Sequence, residues 1–163
     1  MPPGDDRRRR RLACLLPGAD REIELLPKLF TEVLLPREVL DELLAEGAPA
    51  AVRAWAAMLP VWISVRDAPA GAAGGIERLH AGERAAILLA ESIGADLVLL
   101  DEKSARRIAT ERGVRVTGLL GLLAEAASRG LIELTGAIDR LTKTSFRYSP
   151  ALLRSVLERF PKP

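Results

Sequence analysis

Two kinds of hydrophobic pattern alternate along the chain. Apolar residues recur at helical spacing in some segments, and short apolar runs lie between those segments. The clearest run, residues 97–100, shows no polar alternation, as is typical of a strand buried on both faces. Helices are predicted at residues 18–30, 36–47, 49–60, 80–94, 102–113, 119–130, 132–144 and 149–160, and strands at residues 31–36, 61–67, 95–101 and 114–118.

The order of these segments predicts the fold class. Strands alternate with helices through short connections, which indicates an α/β fold with a central parallel sheet covered by helices. Ligands in such sheets bind beyond the carboxyl ends of the strands. Asp101 ends the predicted strand at residues 95–101, so it lies where a site is expected.

Composition narrows the classes of function. The chain has 163 residues, a formal net charge of +2 and one cysteine, Cys14, which excludes an intrachain disulfide. We expect a cytoplasmic protein, since no signal peptide and no membrane-length apolar segment is visible. Residues 1–19 are charged and proline-rich and are expected to be disordered or aberrant, and residues 20–163 are expected to form one domain. With His80 as its one histidine, the chain is not expected to hold zinc.

Glu83 is the first candidate for chemistry. It lies about 60° from the centre of the apolar side of its predicted helix. A carboxylate that points inward needs a cation, a hydrogen-bond donor or a raised pKa. The structural alternative is a first-turn glutamate that the helix dipole favours.

Four further acids leave the same choice open. Asp101 and Glu102 follow the buried strand, where they could bind a ligand or could stabilise the start of the next helix. Asp41 and Glu42 flank the apolar side of their helix at similar angles, so periodicity cannot choose between them, and a solvated face is the alternative. If these acids converge, they would need a cation between them, and oxygen ligands favour Mg²⁺ or Mn²⁺.

Longer stretches of the chain resemble a known superfamily. The stretches "LFTEVLLPREVLDELL", "LHAGERAAILLA", "ADLVLLDEKSARRIA" and "VRVTGLLGLLAEAASRGLI" together are similar to PIN domains. The resemblance spans residues 25–160, and it is strongest to a PIN-like branch known only as a domain of unknown function, related to VapC-type toxins. It implies a three-layer α/β/α fold and a single-stranded-RNA endonuclease that uses Mg²⁺ or Mn²⁺.

The resemblance also implies roles for particular residues. The acids of the family fall on Glu42, Glu83 and Asp101, with Glu102 as a second choice for metal binding and Asp41 as the less favoured alternative to Glu42. Candidates for RNA contact are Arg106, Arg107 and Thr117. By analogy with the toxins, the implied partners are RNA, a cognate antitoxin protein and a second copy of the chain.

The first strand departs from the family pattern. PIN domains open with an apolar strand that ends in a metal-binding Asp, and counting back along this chain puts that position near Arg10 or Arg11. Either the segment before about Asp20 derives from a shifted reading frame or a misassigned start, or the protein has lost the ligand. Both accounts predict reduced or absent nuclease activity.

Two other functions therefore compete with the nuclease. One is a degenerate, non-catalytic PIN-like fold that binds RNA or a protein through its arginines. The other is a nucleotide-binding α/β regulator, for which no phosphate-binding loop is visible. Only six residues are Phe, Trp or Tyr, so no aromatic platform for stacking bases is expected.

Overall fold

The computed structural model describes residues 11–14, 22–71, 74–144 and 146–159, with the backbone alone for residues 11–14. Five strands within these ranges form one sheet, in the order β3-β2-β1-β4-β5, and every neighbouring pair is parallel. The strands are β1 Arg11–Cys14, β2 Glu32–Pro36, β3 Ile63–Arg66, β4 Leu97–Leu99 and β5 Val116–Thr117.

Helices connect these strands. A 3-10 turn, Glu22–Leu25, leads directly into the first of them. The α-helices are α1 Leu26–Leu29, α2 Arg37–Leu44, α3 Ala50–Ala57, α4 Ala81–Ile93, α5 Lys103–Glu111, α6 Leu119–Ser128, α7 Leu134–Thr142 and α8 Pro150–Arg159. Each predicted element is present, although the observed elements begin and end within the predicted ranges.

The sheet separates two hydrophobic cores. Alternate residues of a strand point to opposite faces, and Val98 packs with Ile87 of α4 and Ile108 of α5 on one face. Leu99 packs on the other face, where Leu123 of α6 belongs to the same core. The fold is therefore a three-layer α/β/α arrangement, which confirms the predicted fold class.

Helix α4 is fixed at its carboxyl end. Gly94 follows it with φ +60°, a left-handed conformation that glycine adopts without steric cost, and the amide of Ala95 donates to the carbonyl of Ala90 at 2.8 Å. Arg112, just after α5, donates from Nε and Nη2 to the two carboxylate oxygens of Glu91 at 2.7 Å each. This two-point pair joins α4 to the end of α5.

The central strand of the sheet comes from the N-terminal part of the chain. Arg11–Cys14 pairs with β2 on one side and with β4 on the other. Most of the predicted disordered or aberrant segment, residues 1–19, lies outside the described residues. In the part of the chain that the structure describes, no helix is long and apolar enough to cross a membrane.

Truncation of Leu123 should destabilise the fold strongly. Its side chain is fully buried, so Leu123→Ala leaves a cavity and should lower the free energy of unfolding by roughly 2–5 kcal/mol. Leu44, which is 42% exposed, gives the matched control, and Leu44→Ala should change that free energy far less. Urea unfolding of both variants measures the difference. Equal losses would contradict the assignment of Leu123 to the core.

Candidate carboxylate site and adjoining groove

The carboxyl ends of all five strands lie at one edge of the sheet, because every pair is parallel. The chain enters α4, α5 and α6 at this edge, after β3, β4 and β5. Glu83 lies in the first turn of α4, and Asp101 and Glu102 lie between β4 and α5. The acids that the sequence singled out are thus carried to the same edge by different elements.

Helices α2 and α4 bring Glu42 and Glu83 close together. The backbone amide of Gly82, the residue before Glu83, donates to Oε1 of Glu42 at 2.9 Å. Glu83 is buried, with 5% of its surface exposed, and its Oε2 accepts the amide of His80 at 3.2 Å. Two amides at the start of α4 therefore each have a carboxylate partner.

The pKa of Glu83 is raised above its ordinary value of 4.5. Burial is the main cause, and the charges of Glu102 and Glu42 raise this pKa further. The amide of His80 and the charge of its side chain act in the opposite direction. The two interpretations of Glu83 are both realised, since the side chain points inward and also stabilises the start of its helix.

Asp101 stabilises a different helix from the one predicted. Its Oδ1 accepts the amide of Leu119, the first residue of α6, at 2.9 Å. The expectation that it would cap α5 is wrong, since that position belongs to Glu102, whose side chain makes no capping hydrogen bond. The reason is the pairing of β4 with β5, Leu99 opposite Thr117, which places the start of α6 beside Asp101.

Gly118 allows this close approach. A Cβ atom there would lie 2.9 Å from Nη1 of Arg106 and 3.1 Å from Oδ1 of Asp101. The guanidinium and the carboxylate therefore both lie over the residue that precedes α6. Burial raises the pKa of Asp101, and the amide of Leu119 and the charge of Arg106 lower it.

The model of the PIN domain family matches residues 19–162. The chain is a PIN domain. No curated protein and no solved structure gave a significant match. The matched range begins after β1, so the central strand of this PIN domain lies outside it.

PIN domains generally use divalent metal ions, and the acids here supply suitable oxygen donors. The charges of Glu42 and Glu102 both raise the pKa of Glu83, so these two carboxylates lie near enough to Glu83 to repel its charge. Among the described residues, however, no three side chains of His, Cys, Asp or Glu are grouped closely enough to hold an ion. The carboxylates are the type of ligand that a divalent cation prefers. A bound cation would have to bring them closer together.

The first strand contributes no acid to this arrangement. It ends at Cys14, and the next residues in the sequence are Leu15 and Leu16. The expectation that the missing Asp corresponds to Arg10 or Arg11 is wrong, because Arg11 begins the strand and the carboxyl end comes three residues later. Within the described residues 11–14, the strand therefore supplies no counterpart of the family's first Asp.

The other predicted positions have different surroundings. Asp41 is exposed on α2. Arg107 is exposed on α5 and pairs with Glu111, one helical turn further along, at 3.5 Å. Arg106 and Thr117 instead line a groove of about 730 Å³ that begins at Asp101.

The groove contains residues that the sequence analysis missed. Phe146, Arg147 and Tyr148 lie in it, beside Arg159 at the end of α8. The prediction that the chain has no aromatic platform for stacking bases rested only on the small number of aromatic residues. The alternation of aromatic, basic and aromatic residues at positions 146–148 is the local signal that could have found this site.

Replacement of Glu83 should stabilise the metal-free fold near neutral pH. The pKa of Glu83 is higher in the folded state than the ordinary value, so the folded chain holds a proton that the unfolded chain has lost, and stability falls as pH rises through that interval. Glu83→Gln removes the buried charge and keeps a carbonyl oxygen for the amide of His80. Its stabilising effect should be largest at about pH 7 and should shrink towards about pH 4.

Urea unfolding in EDTA at both pH values measures this difference. The control is Glu46→Gln, because Glu46 is exposed on the loop after α2. A Glu83→Gln variant that loses stability equally at both pH values would show that the hydrogen bond to His80 outweighs the cost of burying the charge.

Proposed function

We propose that this PIN domain is a divalent-metal-dependent endonuclease that acts on single-stranded RNA. The observation that carries the proposal is the approach of Glu42 and Glu102 to the buried Glu83 at the carboxyl edge of the sheet. A buried carboxylate with two further carboxylates acting on it costs stability, so this arrangement around Glu83 favours a functional explanation. Asp101 is the fourth acid at this edge.

The residues of the chain have separable tasks in this proposal. A bound Mg²⁺ or Mn²⁺ would polarise the phosphodiester and favour ionised water. Glu42 and Glu83 are held in position by the amides of Gly82 and His80. Glu102 is exposed and can turn towards them. Asp101, fixed by the amide of Leu119, orients the start of α6 and the guanidinium of Arg106 beside it.

The wider role rests on the resemblance to VapC-type toxins. We include in the proposal that the chain is the toxin of a toxin–antitoxin pair, that a cognate antitoxin protein covers its acidic site, and that two copies associate. These partners are implied by analogy with the toxins, and no contact within the described part of the chain carries them.

A second candidate function is a non-catalytic PIN domain that binds RNA or a protein. Two observations favour it: the strand β1 ends in Cys14 rather than an acid, and no three candidate ligands among the described residues are grouped around one point. Loss of one carboxylate weakens metal binding without removing the arginines that contact phosphates.

Calorimetric titration of Mn²⁺ separates the two candidates. If the nuclease proposal holds, the parent chain binds Mn²⁺ and cleaves a single-stranded RNA in its presence. Glu83→Gln and Asp101→Asn should each lower cleavage by at least about 100-fold while the chain stays folded. Glu46→Gln should retain the parent activity, because Glu46 is exposed on the loop after α2.

The opposite result has a clear meaning. A parent chain that binds no Mn²⁺ and cleaves no RNA, but still binds RNA in EDTA, would reject the nuclease and support the non-catalytic domain. A large loss of stability in Asp101→Asn would instead assign Asp101 a structural task, since asparagine keeps an oxygen that can accept the amide of Leu119.

A further inference from the structure

A groove runs from Asp101 between α6 and α8. Its volume is about 730 Å³, within the usual range for ligand-binding clefts. Gly121 and Ala124 of α6 form part of one wall, and Leu152 and Ser155 of α8 form part of the other. Gly121 leaves space for the side chain of Thr117, since a Cβ atom there would lie 2.7 Å from Oγ1 of Thr117. Of the candidate acids at the sheet edge, Asp101 lines the groove.

The groove carries an excess of positive charge. Four basic residues line it: Lys103, Arg106, Arg147 and Arg159. None of these four forms an ion pair with another residue in the described ranges. The acids on its walls are Asp101, which accepts the amide of Leu119, and Glu125, which pairs with Arg129 at 2.7 Å. The unpaired cations favour an anionic ligand.

Two aromatic rings lie among these cations. Phe146 is half-buried and packs against the hydrophobic core, which fixes its position, and Tyr148 is 36% exposed. Arg147 lies between them in the sequence and also faces the groove. Aromatic rings next to basic groups are the combination that binds unpaired bases and the phosphates that join them.

We infer that this groove binds single-stranded RNA, with bases stacked on Phe146 and Tyr148 and phosphates contacted by Arg147, Arg159 and Arg106. The choice of RNA rests on the proposed function, whereas the choice of a single strand rests on the groove. Paired bases are hidden inside a duplex and cannot stack on a protein ring. Because Arg106 lies beside Asp101, a strand in the groove leads to the acidic edge of the sheet.

Fluorescence anisotropy tests this inference in EDTA, where the chain cannot cleave. The probe is a labelled single-stranded RNA of roughly ten nucleotides. Tyr148→Leu should weaken binding by roughly tenfold, because leucine cannot stack on a base, and Tyr148→Phe should retain the parent affinity. Arg147→Ala and Arg159→Ala should each weaken binding. The salt dependence of binding is the slope of log affinity against log salt concentration, and each variant should reduce the magnitude of this slope by about 0.7.

Arg154 supplies the matched control. It lies on α8 as Arg159 does, but it is exposed and outside the groove, so Arg154→Ala should change neither the affinity nor the slope beyond a small amount. Thermal unfolding shows that each variant is folded. Equal binding by Tyr148→Leu, equal losses in all three arginine variants, or equal affinity for a blunt-ended RNA duplex would each overturn the inference.

The experiment also separates this inference from the proposed function. Glu83→Gln should bind the probe at least as tightly as the parent does, since binding in EDTA does not require the acids and the variant removes a negative charge. Binding through the groove by a parent that never cleaves would reject the nuclease and retain the groove. If Tyr148→Leu and Arg147→Ala bind RNA and cleave it as the parent does, the proposed nuclease activity is supported. The inference that RNA binds in the groove is then rejected. A parent that binds no RNA would reject both.

Discussion

The hydrogen bond from the Leu119 amide to the Asp101 carboxylate connects the main parts of this molecule. It is 2.9 Å long, and it joins the end of β4 to the start of α6. The parallel pairing of β4 with β5 makes it possible, and Gly118 leaves the space for it. The same carboxylate lies at the carboxyl end of β4, where the candidate acids are carried, and also lines the basic groove.

The acids at this edge of the sheet stabilise helices and are also the candidate metal ligands. Glu42, Glu83 and Asp101 each accept a backbone amide at the start of a helix, where a negative charge is favoured. Burial nevertheless raises the pKa of Glu83 and of Asp101, which is a cost to the charged fold. Capping alone needs only an exposed oxygen acceptor. Glu83 is buried and Asp101 is half-buried, so both carry a desolvation cost that capping alone does not require.

The described part of the first strand, Arg11–Cys14, carries no acid. It is the central strand of the sheet and pairs on both sides, so the architecture does not depend on the family's first Asp. Hydrophobic contacts on both faces of β4 hold the sheet within its helices. The PIN fold is therefore maintained by apolar packing and strand pairing, and it does not require an acid at the end of β1.

Much of the fold could be predicted from the sequence because its signals are local. The uninterrupted apolar run of β4, the helical spacing in α4 and the glycine that ends α4 at Gly94 each depend on neighbours in the chain. The same local patterns gave Glu83 and Asp101 as candidates, and they left the orientation of Glu42 and Asp41 undecided.

Contacts between residues distant in the chain decided the rest. The Gly82 amide selects Glu42, which is forty residues earlier, and strand pairing turns Asp101 towards α6 rather than α5. The groove forms only when α8 packs near α6 and brings Phe146 and Tyr148 beside Arg106. Periodicity gives the face of a single helix, but it holds no information on which other element covers that face. For this protein the sequence by itself determined the elements and the acids they carry, and only the tertiary structure decided which of those acids meet and where the basic groove begins.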